Sequence, residues 1–189
     1  TPTHKTLIAL LRSLRGKWCP DRSPSNLGRL LKAESFLDRV ALLSEQNNDT
    51  GHTVLHVAAI KCTESTIKTV MDCIVSEYEA SQLLAIQDKC GCTPIHLAVQ
   101  SGKVEILDAM INQVKNCGAF SDLLKIQNRS GNTALHQADS KAMADAMLDL
   151  LTLQQEEQLL DVKNNFGLTA LESARRGRNV AMAKFFGDR

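Results

Sequence analysis

The chain has 189 residues, 43% of them hydrophobic and only 4% aromatic, with a formal net charge of +1, and no apolar run approaches the roughly 20 residues that a membrane-spanning helix needs. The near-neutral total conceals an asymmetry: residues 1 to 32 carry seven Lys or Arg against Asp21 alone, whereas residues 49 to 189 carry 14 against 17 acidic residues. The six cysteines, at 19, 62, 73, 90, 92 and 117, show no paired framework and read as reduced thiols of an intracellular protein, cytoplasmic or nuclear.

In chain order, THKTLIALLRSLRG spaces Leu7, Leu10, Leu11 and Leu14 as one face of an amphipathic helix, with Gly16 suited to its end. WCPDRSPSN, residues 18 to 26, is too rich in Pro and Ser for anything but a loop, so residues 1 to 26 are expected to be a basic helix and loop. Residues 27 to 46 read as a degenerate helix pair that caps the remainder of the chain.

From there a phrase recurs, as TGHTVLHVAAI, CGCTPIHLAVQ, SGNTALHQADS and FGLTALESARR. Its glycines, Gly51, Gly91, Gly131 and Gly167, are 40, 40 and 36 residues apart, periods that imply a stacked array in which each unit buries its apolar face on the next. In the second copy Asp88 and Gly91 suit a tight turn, Thr93 an N-cap and Pro94 the first helical position, where a missing N–H costs nothing. Small Ala98 lets a short first helix approach its neighbours. Gly102 marks a break, and Val104, Ile106, Leu107, Met110 and Ile111 supply the apolar face of a second helix.

Gly91, Thr93, Pro94, Ile95, His96 and Ala98 together resemble the Gly-x-Thr-Pro-Leu-His-x-Ala phrase of the ankyrin repeat. Gly51, Thr53, Leu55, His56 and Ala58 repeat it, as do Gly131, Thr133, Leu135, His136 and Ala138, while the last copy has Glu172 in place of histidine. The expected fold is therefore all-α, an ankyrin-repeat helical solenoid with long 36–40-residue repeats and an additional N-terminal helix. The array would run over 47–189, in units of about 47–86, 87–126, 127–162 and 163–189. The family's period is about 33 residues. The additional residues, SEYEASQLLAIQ and NCGAFSDLLKIQ with their Leu-Leu pairs, lead to an expectation of long second helices followed by a short helical turn.

The resemblance implies that His56, His96 and His136 are architectural, each bonded to Thr53, Thr93 or Thr133 and to neighbouring backbone. Glu172 suits a terminal unit with nothing beyond it to tie. Cys90 and Cys92, read as exposed turn cysteines, have no second pair to complete the four ligands of a structural zinc site. There is no exposed-serine elbow, no recognisable Cys or Ser constellation with His and carboxylate, and no phosphate loop. Neither catalysis nor a metal or cofactor is expected.

The resemblance instead implies a non-catalytic module that binds another protein, or an extended peptide, on the concave face of the array, within a larger signalling or scaffold protein. The side chains expected at that face are Thr50, His52, Lys61, Lys89, Cys92, Gln100, Arg129, Asn132, Gln137, Ser140, Phe166, Arg175 and Arg176. Two alternatives stay open. GHTVLHVAAI followed by LLAIQDKCGCTPIHLAV is similar to the opening repeats of inhibitor-of-κB proteins, which would imply sequestration of a Rel-type transcription factor; the array could also pack against a catalytic or channel domain of the same chain. The basic N-terminal segment is read as a cap with solvated charges, without nucleic acid or membrane as partner, and nothing indicates a homo-oligomer.

Overall fold

In a computed structural model, residues 40, 43–46, 48–61, 64–72, 74 and 76–189 are described. The expected amphipathic helix and Pro/Ser loop of residues 1–26, and most of the degenerate pair at 27–46, lie outside the described residues. Every regular element among the described residues is helical.

The first unit contains α1 (Val54–Lys61), α2 (Glu64–Met71) and α3 (Glu77–Leu84); the second α4 (Pro94–Gln100), α5 (Val104–Asn112) and α6 (Phe120–Lys125). The third has a one-turn 3-10 helix (Ala134–Gln137), α7 (Lys141–Leu148) and α8 (Leu153–Leu160), and the fourth α9 (Ala170–Arg176) and α10 (Val180–Gly187). First helices stack on first helices, in the order α1, α4, 3-10 helix, α9, and second helices likewise as α2, α5, α7, α10. This is the helical solenoid that the repeated phrase implies.

One expectation is corrected. The second helices are not long: α2, α5 and α7 have 8, 9 and 8 residues, and the additional residues form separate third helices that stack as a row of their own, α3 on α6 on α8. For α3 and α8 the reason is local capping, whereas α6 starts at Phe120 without a side-chain cap. The Ser76 hydroxyl accepts from the Glu79 amide, and Thr152 forms a capping box with Gln155, so the chain stops and restarts rather than continuing one helix. Leu83, Leu84, Leu123, Leu124 and Leu159 are buried, which fastens this third row to the core.

The shorter 36-residue period is also local. The second helix starts ten residues after the first at Val54/Glu64, Pro94/Val104 and Ala170/Val180, but only seven after it at Ala134/Lys141. Ala138 turns to an extended conformation and Ser140 occupies the N-cap of α7, so Asp139 and Ser140 end the first helix after a single turn. The core runs continuously through the rows: Leu55, Ile95 and Leu135 on the first helices, Ile67, Leu107 and Met143 on the second. Ala58, Ala59 and Ala98 are at most 2% exposed, where anything larger would push the rows apart.

Candidate functional site

The turns preceding the first helices are built by one repeated set of bonds. Asp88 Oδ1 accepts from the amides of Cys90 and Cys92, both at 2.8 Å; Asn128 Oδ1 does the same for Ser130 and Asn132, and Asn164 Oδ1 for Phe166 and Leu168. Gly91 has φ +74°, a conformation disfavoured for side-chain-bearing residues, and a Cβ there would lie 2.8 Å from the Arg129 backbone nitrogen. Glycine is needed both for the turn and for the approach of the next one.

Neighbouring turns are bonded backbone to backbone. The amides of Lys89, Arg129 and Asn165 donate to the carbonyls of Thr50, Cys90 and Ser130, at 2.9, 3.0 and 3.1 Å. These bonds put Asp49, Lys89, Arg129 and Asn165 at equivalent places in successive turns, and Thr50, Cys90, Ser130 and Phe166 beside them.

A second ladder was missed in the sequence. Gln46 Nε2 donates to the carbonyls of Gly51 and Gln87, Gln87 Nε2 to those of Gly91 and Gln127, and Gln127 Nε2 to those of Gly131 and Lys163. The signal was a glutamine four residues before the repeat glycine, at Gln87 and Gln127. In the last unit Lys163 holds that place.

Beneath the turns the imidazoles join unit to unit. The Thr53 amide donates to His56 Nδ1 at 3.1 Å, and since an amide can only donate, Nδ1 is unprotonated and Nε2 carries the proton, which it gives to the Cys92 carbonyl at 2.9 Å. His96 repeats this with Thr93 and the Asn132 carbonyl, and His136 with Thr133 and the Leu168 carbonyl. Burial disfavours the cation and holds all three below the ordinary histidine range, His56 at about 4. They are neutral linkers near neutrality, unsuited to proton transfer there. Glu172 instead accepts from the Thr169 amide at 2.8 Å, and that backbone bond lowers its pKa.

The residues anticipated at the face separate into three groups. Thr50, Lys89, Arg129 and Phe166 stand exposed on the turns, with Phe166 71% exposed and the Arg176 guanidinium 6.0 Å from its ring centroid. Gln100 and Gln137, bonded to each other at 3.1 Å, continue along the first helices, with Lys61 and Arg176 exposed at helix ends. His52, Asn132 and Ser140 are half-buried and committed locally: His52 Nε2 lies 3.2 Å from Asp88 Oδ2 and its ring stacks on His56, Asn132 Oδ1 accepts from Asn164, and Ser140 is the N-cap of α7.

Two assignments are corrected. Cys92 is only 5% exposed; its carbonyl receives His56 and burial raises its thiol pKa, so of the Cys90/Cys92 pair only Cys90 is an exposed turn cysteine. Arg175 is exposed, but its place in α9 corresponds to buried Val99 of α4, and its guanidinium reaches toward Gly187 at the end of α10 instead of the Gln100–Arg176 stripe. Among the described residues no group of three or more His, Cys, Asp or Glu is placed to hold a metal ion.

The family model for ankyrin repeats, three copies, matches residues 74–154. These residues are ankyrin repeats. The nuclear factor NF-kappa-B p105 subunit of Gallus gallus is 24% identical over 142 residues, covering 75% of this chain but 14% of that protein's length. Ankyrin repeats are protein–protein interaction modules and are generally non-catalytic; no helix among the described residues is long and apolar enough to cross a membrane.

Proposed function

We propose that this ankyrin array binds a protein partner, or an extended peptide segment of one, on the concave side formed by its turns and first helices, as an intracellular module of a larger signalling or scaffold protein. The observation that carries this reading is the row of exposed side chains, Lys89 and Arg129 above all, held in register by the Arg129 to Cys90 backbone bond. A surface built from polar and charged side chains on bonded turns is preorganised, so binding loses little conformational freedom.

Affinity capture with the chain as bait tests it, alongside Lys89→Glu/Arg129→Glu and Gln100→Arg variants of unchanged melting temperature. A partner retained by the parent and lost by the variants supports the reading. Retention by both variants would move the binding site off this face.

A second reading is an inhibitor-of-κB-like protein that sequesters a Rel-type transcription factor. The similarity to the p105 subunit favours it. A Rel-homology domain that fails to co-purify with the chain would dismiss it.

A further inference from the structure

The charges of the array are sorted by side. The turns and first helices, residues 48–61, 88–100, 128–140 and 164–178, carry six Lys or Arg, of which Arg175 reaches away toward α10, against four Asp or Glu, while the remainder of residues 48–189 carries eight against thirteen. Two of the four acids on the turn side are engaged in their own turns: the Asp88 side chain is 3% exposed, bonded to two amides and to His52, and Glu172 caps α9. The cations there are unbalanced by comparison. Lys89, Arg129 and Arg176 are exposed and, among the described residues, none pairs with a carboxylate; Lys89 Nζ donates to the Asn48 carbonyl. Away from this side acids outnumber cations, and among the described residues three of the eight cations meet carboxylates: Lys68 on Glu64, Lys141 on Asp145, and Arg189 on Asp145, Asp149 and Glu156.

We infer that the occupant of this face is an extended acidic peptide segment that sets a carboxylate against Lys89 and another against Arg129, and ends over Phe166 and Arg176. The inference rests on the reading of the turn and first-helix side as the partner-binding face. Stacked helices lie roughly 8–10 Å apart, and an extended chain advances about 3.1–3.4 Å per residue, so one repeat spans about three peptide residues. The matching ligand therefore carries an acidic residue at about every third position, followed by an apolar or aromatic residue for the Phe166 ring. A long polyanion such as nucleic acid fits less well, because in the first three units the cations stand singly, Lys61, Lys89 and Arg129, and the rest of the array repels it.

The test titrates the full chain, by fluorescence anisotropy at low and at physiological salt, with a labelled peptide bearing glutamate at every third position. Its lysine counterpart and a single-stranded oligonucleotide serve as comparisons. The acidic peptide is expected to bind roughly tenfold tighter than the lysine peptide and to weaken with salt, and Lys89→Glu/Arg129→Glu to reverse that preference. Arg176→Glu, in another unit, should weaken the acidic peptide without altering the melting temperature. No preference between the peptides, or tighter binding of the oligonucleotide, would overturn the inference. Selection from a random peptide library separates it from the broader reading: binders that are not acidic but are lost with Gln100→Arg keep the face and refute its acidic ligand, while binders indifferent to every face variant refute both.

Discussion

His56 Nε2 lies 2.9 Å from the carbonyl oxygen of Cys92, so one buried side chain joins two repeats through residues 36 positions apart. The same bond recurs from His96 to Asn132 and from His136 to Leu168. Each imidazole therefore satisfies a backbone donor in its own unit and an acceptor in the next. His96→Leu supplies a side chain of similar bulk but strands the Thr93 amide and leaves the Asn132 carbonyl with the Asn128 amide as its remaining donor, and is expected to cost about 1–3 kcal/mol. Urea unfolding measures this; a loss below about 0.5 kcal/mol would mean that the tie contributes little.

Acid should loosen the same joints. With its folded pKa at about 4 against an ordinary value of 6.5, His56 binds fewer protons folded than unfolded. Stability is therefore fully present above the unfolded value and falls as pH drops from about 6.5 toward 4, by about 3 kcal/mol for His56 alone, with His96 and His136 acting in the same direction. Urea midpoints measured across that interval should decline, and less steeply in His56→Gln. A flat profile for the parent would contradict neutral burial.

Glycine substitutions should separate backbone strain from crowding. Gly102, at φ +69°, faces open space, so Gly102→Ala adds strain alone, about 1 kcal/mol. Gly91→Ala adds the same strain plus a contact of 2.8 Å with the Arg129 nitrogen and should cost clearly more. Arg178, at φ +59°, occupies the place in the fourth unit that Gly102 holds in the second. Arg178→Gly is accordingly expected to raise stability by about 1 kcal/mol, and thermal unfolding of the three variants gives the order directly.

The glutamine ladder can be tested by charge at constant shape. Gln127 donates to two carbonyl oxygens, those of Gly131 and Lys163. Gln127→Ala loses those bonds, about 1 kcal/mol in this exposed position. Gln127→Glu presents a carboxylate, which cannot donate, to both acceptors and should be less stable than alanine; chemical denaturation that ranks them in reverse would show that the ladder is incidental.

The sequence by itself determined the repeat, its register and its caps, because these depend on neighbours a few residues apart. Thr93 three residues before His96, Pro94 at the first helical position and Gly91 in the turn are local requirements, and periodicity multiplied their signal. Two of the third helices, α3 and α8, were locally written too, in Ser76 before Glu79 and Thr152 before Gln155. Only the tertiary structure decided which groups meet across units. Cys92 and Cys90 sit two residues apart in one turn, yet the first is buried beneath the neighbouring histidine and the second is exposed. Arg175 and Arg176 are adjacent in sequence, but one reaches toward α10 and the other toward Phe166. The basic side of the array was invisible in a near-neutral total charge, because sorting charges by face requires knowing which helices stack on which, and stacking joins residues that lie a whole repeat apart in the chain.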